Sequence, residues 1–363
     1  YYHLDYVGAP RDYKWVCTVP ITKIWQQMNV AYNYDARRIW IVNVGSLKQK
    51  EFDISFFLDY ARDPNRWSKD SLDEYTKLWA EQQFGPQYAS GVADCLTKYL
   101  KYNGMRKPEQ MVTEPYSVSN YREADIMNTR WQALTDEAQA IYDKLPADQK
   151  DAFYELVLYP AKASGVVAQL YIAAAKNKLY AQQGRASAND EADKVAALFK
   201  EDSDLTDYYN KTLAGGKWDT FQAQVHIGYS AWNDPRTNIM PDVTHLDIPD
   251  PAALGLTVDN SDDAWPGATG IPSLPTLDRY NKQTYTITAF DRGQAPIQFT
   301  AHAREPWILV SPTGGMISKD QPISVGVDWS KAPAGTGRGM VTVSGAGTDV
   351  NVNVPYDNTP LPG

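Results

Sequence analysis

Three patterns of apolar and polar positions follow one another along the chain. Residues 1–67 alternate between strand-like and helical runs. The run 1–7 is rich in β-forming residues and stops at Gly8-Ala9-Pro10, a turn signal. Ile21, Ile24, Trp25, Met28 and Tyr32 fall at helical spacing, with Pro20 suited to a helix start. The run 38–44 (RIWIVNV) is almost wholly apolar and ends at Gly45, which predicts a parallel strand buried on both faces. Residues 54–60 read as helix again, closing at Asp63-Pro64. Strand, helix, strand, helix is the order of a parallel α/β fold.

From 68 to 216 the pattern is helical throughout. Gly85-Pro86, Asn103-Gly104, Leu145-Pro146 and Gly184 punctuate it. The short loops predict an antiparallel helical bundle. Residues 217–270 are rich in Pro, Gly, Asp and Asn and read as an irregular connector. Six short runs with β-branched residues, many alternating, then fill 284–354 and predict a small β-sandwich. The expected layout is 1–67 α/β, 68–245 helical bundle, 246–279 connector, 280–357 sandwich and 358–363 a linker-like tail. Two βα units cannot close a barrel, which takes eight. The first 67 residues are therefore either a two-strand appendage or the tail of a larger α/β domain, and the unpaired edges of both strands favour the tail.

The net charge of -9, from 35 Lys+Arg against 44 Asp+Glu, argues against a nucleic-acid partner. No stretch approaches the ~18 uncharged apolar residues of a membrane helix. Cys17 and Cys95 are too few for a disulfide scaffold, and spacing does not say whether they meet. The 11 Trp and 24 Tyr raise a carbohydrate reading slightly, since aromatic faces stack on sugar rings. Tyr154, Tyr159, Tyr171 and Tyr180 are read as bundle core, and Trp307 and Trp329 as sandwich core rather than sugar platforms.

Active sites of parallel α/β domains lie at the C-terminal ends of the strands. There the first strand carries His3, Asp5 and Tyr6, with His3 and Asp5 on one face. Asn43 is the only polar residue between Arg38 and Gly45, near the end of the second strand. A buried amide needs hydrogen bonds, to a ligand or to a neighbouring loop. Arg11, Lys14 and Trp15 follow the first strand, where a cation beside an aromatic ring suits a sugar carboxylate, although a solvated loop charge and a packed Trp are the favoured reading of the same residues. Other clusters are weak. Asp259 to Asp263 lacks EF-hand spacing, and His226, His245 and His302 show no zinc spacing. Gly335 to Gly339 reads as a turn, and no phosphate-binding loop is present.

Together the strings YYHLDYVGAPRDYKW (1–15), RIWIVNVGSLKQKEF (38–52) and ISFFLDYARDPNRW (54–67) resemble the last quarter of the catalytic barrel of glycoside hydrolase family 115, the xylan α-1,2-glucuronidases. LVLYPAKASG (156–165), LYAQQGRASAND (179–190) and AGGKWDTFQAQVHIGYSAWNDP (214–235) extend the resemblance through the helical region, and PWILVSP (306–312) and VDWSKAP (327–333) into the sandwich, which also resembles small bacterial immunoglobulin-like modules.

The resemblance implies removal of glucuronic acid or its 4-O-methyl ether from xylan, with inversion and without a cofactor or metal. Inversion needs an acid and a base carboxylate about 6.5–9.5 Å apart. The resemblance places that pair on earlier barrel strands, so this chain alone is expected to be inactive. It implies that His3, Tyr6 and Asn43 bind substrate; Asp5 matches the motif without an assigned role. Ser46 departs from the family, which commonly has an acidic residue there. Further implications are glucuronoxylan or decorated xylo-oligosaccharides as partners, a homodimer through the bundle, and a periplasmic or secreted bacterial location. The alternative is a non-catalytic carbohydrate-binding or assembly module built from bundle and sandwich.

Overall fold

The computed structural model of the chain describes residues 1–360; the end of the tail expected at 358–363 lies outside the described residues. The chain forms two compact units. One comprises Tyr1–Pro115, Ile126–Ile172 and Val195–Pro241; the other comprises Tyr116–Asp125, Ala173–Lys194 and Asp242–Gly363.

The first unit opens with strand β1 (Tyr2–His3), helix α1 (Ile21–Asn33), strand β2 (Val42–Asn43) and helix α2 (Glu51–Arg62). β1 and β2 pair in parallel, with Tyr2 opposite Val42 and His3 opposite Asn43. Pro20 sets up the first turn of α1, which buries Ile21, Ile24 and Met28. Glu51 and Asp53 in the first turn of α2, and Arg62 in its last, match the helix dipole. The Tyr2 ring stacks on Phe57 of α2 at 6.5 Å, fastening strand to helix.

The expectation of a strand at 38–44 buried on both faces is corrected. The ladder is two residues long, Ile39 is 78% exposed and Ile41 52% exposed. A strand is covered on both faces only where helices and sheet neighbours flank it, and β2 pairs with β1 alone among the described residues.

The helical stretch runs as α3 (Leu72–Phe84), α4 (Ala89–Met105), α5 (Glu123–Lys144), α6 (Ala147–Phe153), α7 (Tyr159–Gln183) and α8 (Ala188–Lys211). A 3-10 turn, Pro108–Gln110, follows α4, and a π-turn, Tyr154–Leu158, joins α6 to α7. The span Ala147–Gln183 is long and apolar enough to cross a membrane, but most of it is buried, as in a core helix.

The second unit holds two sheets. One has the order β4 (Leu277–Asp278), β11 (Thr348–Asn358), β10 (Gly335–Gly345), β6 (Ile297–Ala303), β8 (Gly314–Ile317); the other has β3 (Leu254–Val258), β5 (Tyr285–Asp291), β9 (Asp320–Val327), β7 (Ile308–Ser311). Inward residues of both, including Leu256, Ile287, Val325, Phe299, Val343 and Val352, share one buried cluster. β10 and β11 form a hairpin whose two turn residues, Ala346 and Gly347, both have positive φ, the geometry that matches strand twist.

The stretch expected as connector therefore contributes strands. β3 is wholly buried, and the Phe290 ring occupies the space that a side chain at Gly255 would need. The surrounding Pro, Asp and Asn mask this five-residue run, which Thr257 itself interrupts. Trp307 is buried edge-to-face against Tyr356, as expected of a core Trp. Tyr154, Tyr159 and Tyr171 are likewise buried.

Candidate functional site

The parallel register sets His3 beside Asn43. Past the ladder, the Asn43 carbonyl accepts the backbone N–H of Leu4 (2.8 Å) and of Asp5 (3.3 Å), so the chain bends and His3, Asp5 and Asn43 converge. The Asn43 amide donates to the Asp5 carbonyl at 2.6 Å and to Asp5 Oδ1 at 3.3 Å. His3 Nδ1 lies 3.0 Å from the same Asp5 carbonyl. A carbonyl only accepts, so Nδ1 carries the proton and Nε2 is the nitrogen free for a ligand. Asn43 spends its N–H on Asp5 and keeps its carbonyl oxygen to offer.

Asp5 is the hub of this cluster. Its Oδ2 lies 3.5 Å from Lys50 Nζ, a side chain with no exposed surface. Lys50 also donates to the Val44 carbonyl (2.9 Å) and the Lys14 carbonyl (3.4 Å). One buried ammonium thus ties the ends of both strands and the loop after β1. Gly45 makes room for it: at φ +58°, a Cβ would come within 2.2 Å of Asp5 Oδ2.

Tyr6 packs edge-on against His3 (5.4 Å) and stacks on Tyr13 (5.7 Å), whose backbone it pairs through two 2.9 Å hydrogen bonds. Burial and nearby Asp5 push the Tyr13 phenol up, keeping it a neutral donor. Lys107 sits over the Tyr13 ring at 4.7 Å. His3 and Tyr13 line a cleft of about 870 Å³, together with Lys23, Asp73, Lys101 and Lys107. Three of those four charged side chains are cations, in a chain whose net charge is -9.

Arg11, Lys14 and Trp15 do not present a cation and a free ring. Lys14 Nζ is held by Asp12 (3.3 Å) and Asp234 (2.8 Å). Arg11 donates to the Glu109 carbonyl (3.3 Å) and lies 5.3 Å from the Tyr229 ring centre. Trp15 is buried flat against His226. Of the two readings of Trp15, the packed ring is the one found, and the sugar-stacking one is corrected: its face is already used. His226 Nε2 lies 2.9 Å from Asp202 Oδ1 and Nδ1 lies 2.7 Å from the Gln224 carbonyl. Burial lowers its pKa, but these two acceptors outweigh burial and the net direction is up.

Two buried glutamates hold the loops that follow the strands. Glu109, on the 3-10 turn, accepts the N–H of Lys14 (2.8 Å) and of Trp15 (2.9 Å) on Oε1. Glu155, on the π-turn, accepts the Gln49 N–H at 3.0 Å. Burial, with Glu51 adding to it, pushes Glu155 up to about 7. A π-turn often marks a functional position, and here it aims a carboxylate at the loop after β2.

The acidic run Asp259 to Asp263 is engaged in turn contacts, with Asp259 Oδ2 accepting the Thr286 N–H at 2.7 Å. Among the described residues, no group of three His, Cys, Asp or Glu side chains is placed to hold a metal. Cys17 and Cys95 are both free and buried.

Residues 1–110 match the family model of glycosyl hydrolase family 115. No curated protein matches the sequence. The solved structure of a family GH115 4-O-methyl-α-glucuronidase, BtGH115A, described as specific for decorated arabinogalactans, is similar at TM-score 0.53 and 17% identity. That alignment covers 98% of this chain and 50% of that one, so this chain spans about half of its length. A PapD-like domain of human CEP192 (TM-score 0.23, 10% identity, 34% of this chain, 97% of that one) and a FixG-related protein from Vibrio parahaemolyticus (0.21, 13%, 30%, 97%) align too loosely to carry an argument. The stretch that holds His3, Asp5, Tyr6 and Asn43 is therefore the part that matches the family 115 model, and the fold likeness extends along the chain.

Proposed function

We propose that this chain forms one wall of the glucuronyl pocket of an inverting α-glucuronidase, an enzyme that removes glucuronic acid or its 4-O-methyl ether α-1,2-linked to xylan. The observation that carries the reading is the family 115 match over the residues that converge at the strand ends. His3 Nε2, the Asn43 carbonyl and the Tyr6–Tyr13 pair are the groups offered to the sugar. The cationic lining of the adjoining cleft suits a uronate.

Asp5 is locked by Lys50 and Asn43, which leaves it unsuited to act as acid or base. The reading therefore takes the catalytic carboxylates from outside these residues, on further strands of a (β/α)8 barrel flanking the exposed Ile39 and Ile41. It extends to an immunoglobulin-like sandwich, a homodimer through the helical region, and a periplasmic or secreted location, where xylan is met.

The test is release of glucuronic acid from decorated xylo-oligosaccharides and from glucuronylated arabinogalactan. It compares this chain with a version extended upstream of Tyr1. Release only by the extended version, cut at least about 100-fold by His3→Ala or Asn43→Ala, is expected. Release by this chain alone would overturn the placement of the carboxylates. No release by either would overturn the activity.

A further inference from the structure

Residues 218–234 lie across both loops that leave the strand ends, touching them at intervals of two to four residues. Lys48 Nζ, in the loop after β2, sits 4.5 Å from the Trp218 ring centre. Gln222 donates its side-chain amide to Gln49 of the same loop. The segment then reaches the loop after β1. His226 stacks on Trp15, Tyr229 faces Arg11, the Trp232 carbonyl accepts the Asp12 N–H at 2.8 Å, and Asp234 pairs with Lys14. Asp12 adjoins Tyr13, which pairs with Tyr6, which packs on His3. Backbone hydrogen bonds and ring contacts therefore lead without a break from Trp232 to the glucuronyl end of the strands.

The segment is also internally fixed. Asn238 Oδ1 accepts the N–H of both His226 (2.8 Å) and Ile227 (3.0 Å), and Gln224 donates to Asp234 at 3.1 Å. Against this anchoring, two large rings are left to solvent: Phe221 is 40% exposed and Trp232 46% exposed. A fixed aromatic ring beside a sugar site presents a flat apolar face that matches the C–H face of a pyranose, with little ordering cost on binding.

We propose that residues 217–236 form the rim of the pocket, and that Trp232, with Phe221, stacks on the neutral main chain of the polysaccharide whose glucuronyl branch enters at His3 and Asn43. The proposal rests on the glucuronidase reading of that end. It assigns main-chain recognition to a part of the molecule outside residues 1–110.

The test uses the full chain labelled with 5-fluorotryptophan and followed by fluorine NMR. The Trp232 resonance is identified by its loss in Trp232→Phe. Xylohexaose and a debranched arabinogalactan oligosaccharide are titrated separately, and 4-O-methyl-glucuronic acid is titrated in parallel by calorimetry. The expected result is that at least one oligosaccharide shifts Trp232 and leaves the buried Trp15 unmoved; which one does so separates a xylan from an arabinogalactan main chain. Trp232→Ala weakens that binding at least about tenfold, Trp232→Tyr by less than about threefold, and His3→Ala leaves it unchanged. The acid is expected to bind in Trp232→Ala and not in His3→Ala. Acid binding with oligosaccharide binding absent, or indifferent to Trp232→Ala, overturns the rim and leaves the glucuronyl pocket standing. Oligosaccharide binding at Trp232 with no acid binding at His3 overturns the glucuronyl pocket instead.

Discussion

The imidazole of His226 lies flat on the indole of Trp15, with ring centroids 3.6 Å apart and planes 2° apart. Trp15 belongs to the loop after β1, and His226 to the segment that crosses it. The stack is a structural joint at the edge of the pocket, which makes Trp15 a packing residue. Trp15→Ala is expected to cost about 3–5 kcal/mol in urea denaturation, the range for deleting a large buried aromatic. A loss under about 1 kcal/mol would mean that the stack holds nothing together.

Lys50 gives a second prediction. Its ammonium is buried beside Asp5, and Lys50→Met leaves that carboxylate without its cation. The expected cost is about 3–5 kcal/mol, since breaking a buried pair strands a charge. Adding Asp5→Asn to Lys50→Met is expected to recover part of the loss. No recovery in the double variant would show that the carbonyls of Val44 and Lys14, rather than Asp5, are what Lys50 holds.

Gly45→Ala is expected to be as damaging as its size is small. The added methyl would meet Asp5 Oδ2, and φ +58° is unfavourable for any side chain. The expected loss is about 3 kcal/mol by thermal or chemical unfolding. A variant as stable as the parent would mean that Asp5 does not sit against the turn.

Two buried carboxylates make stability depend on pH. Burial pushes Asp53 up to about 7, and burial together with Glu51 pushes Glu155 up to about 7. Unfolded carboxylates titrate near 4, so the native state holds these protons more tightly. The contribution is complete below the unfolded value and is lost as pH rises through about 7. Asp53→Asn is therefore expected to leave stability nearly unchanged at acid pH and to raise it by about 3 kcal/mol well above pH 7. Urea midpoints at two pH values check the sign; equal gains at both would refute it.

The two thiols are expected to be inert. Burial pushes Cys95 up to about 12 and Cys17 well above the ordinary thiol range, and neither is bonded to the other. A thiol reagent should react with the native protein only as fast as it opens. Rapid labelling of either cysteine at neutral pH would contradict their burial.

That His3 and Asn43 lie near the ends of two parallel strands was legible, because a β-rich run and an apolar run are each followed by a turn glycine; their pairing opposite one another was not. The helical stretch was legible from its periodicity. What holds the strand ends was not. Lys50, Glu109 and Glu155 look like ordinary charges on helices and turns, and charges on helices usually face water. Only their partners reveal them, and the N–H groups that Glu109 and Glu155 accept lie about 95 and 106 residues away. A packed ring is the favoured reading of Trp15 ahead of a sugar platform, but its partner His226 lies too far along the chain to be seen. β3 was hidden by composition: the short run Leu254–Val258, broken by Thr257, carries too little pattern to stand out in a Pro- and Asp-rich stretch.

The anchoring of the two loops has a consequence for how the protein is made. A ribosome that has released the first 67 residues has delivered both strands, but Glu109, Glu155 and the crossing segment are still to come. The Lys14–Asp234 pair closes across 220 residues. The contacts that hold the strand ends are therefore completed only when the last helix and the segment behind it have emerged. Mutations in that late segment are expected to act as maturation defects, leaving the two loops after the strands without the contacts that fix them.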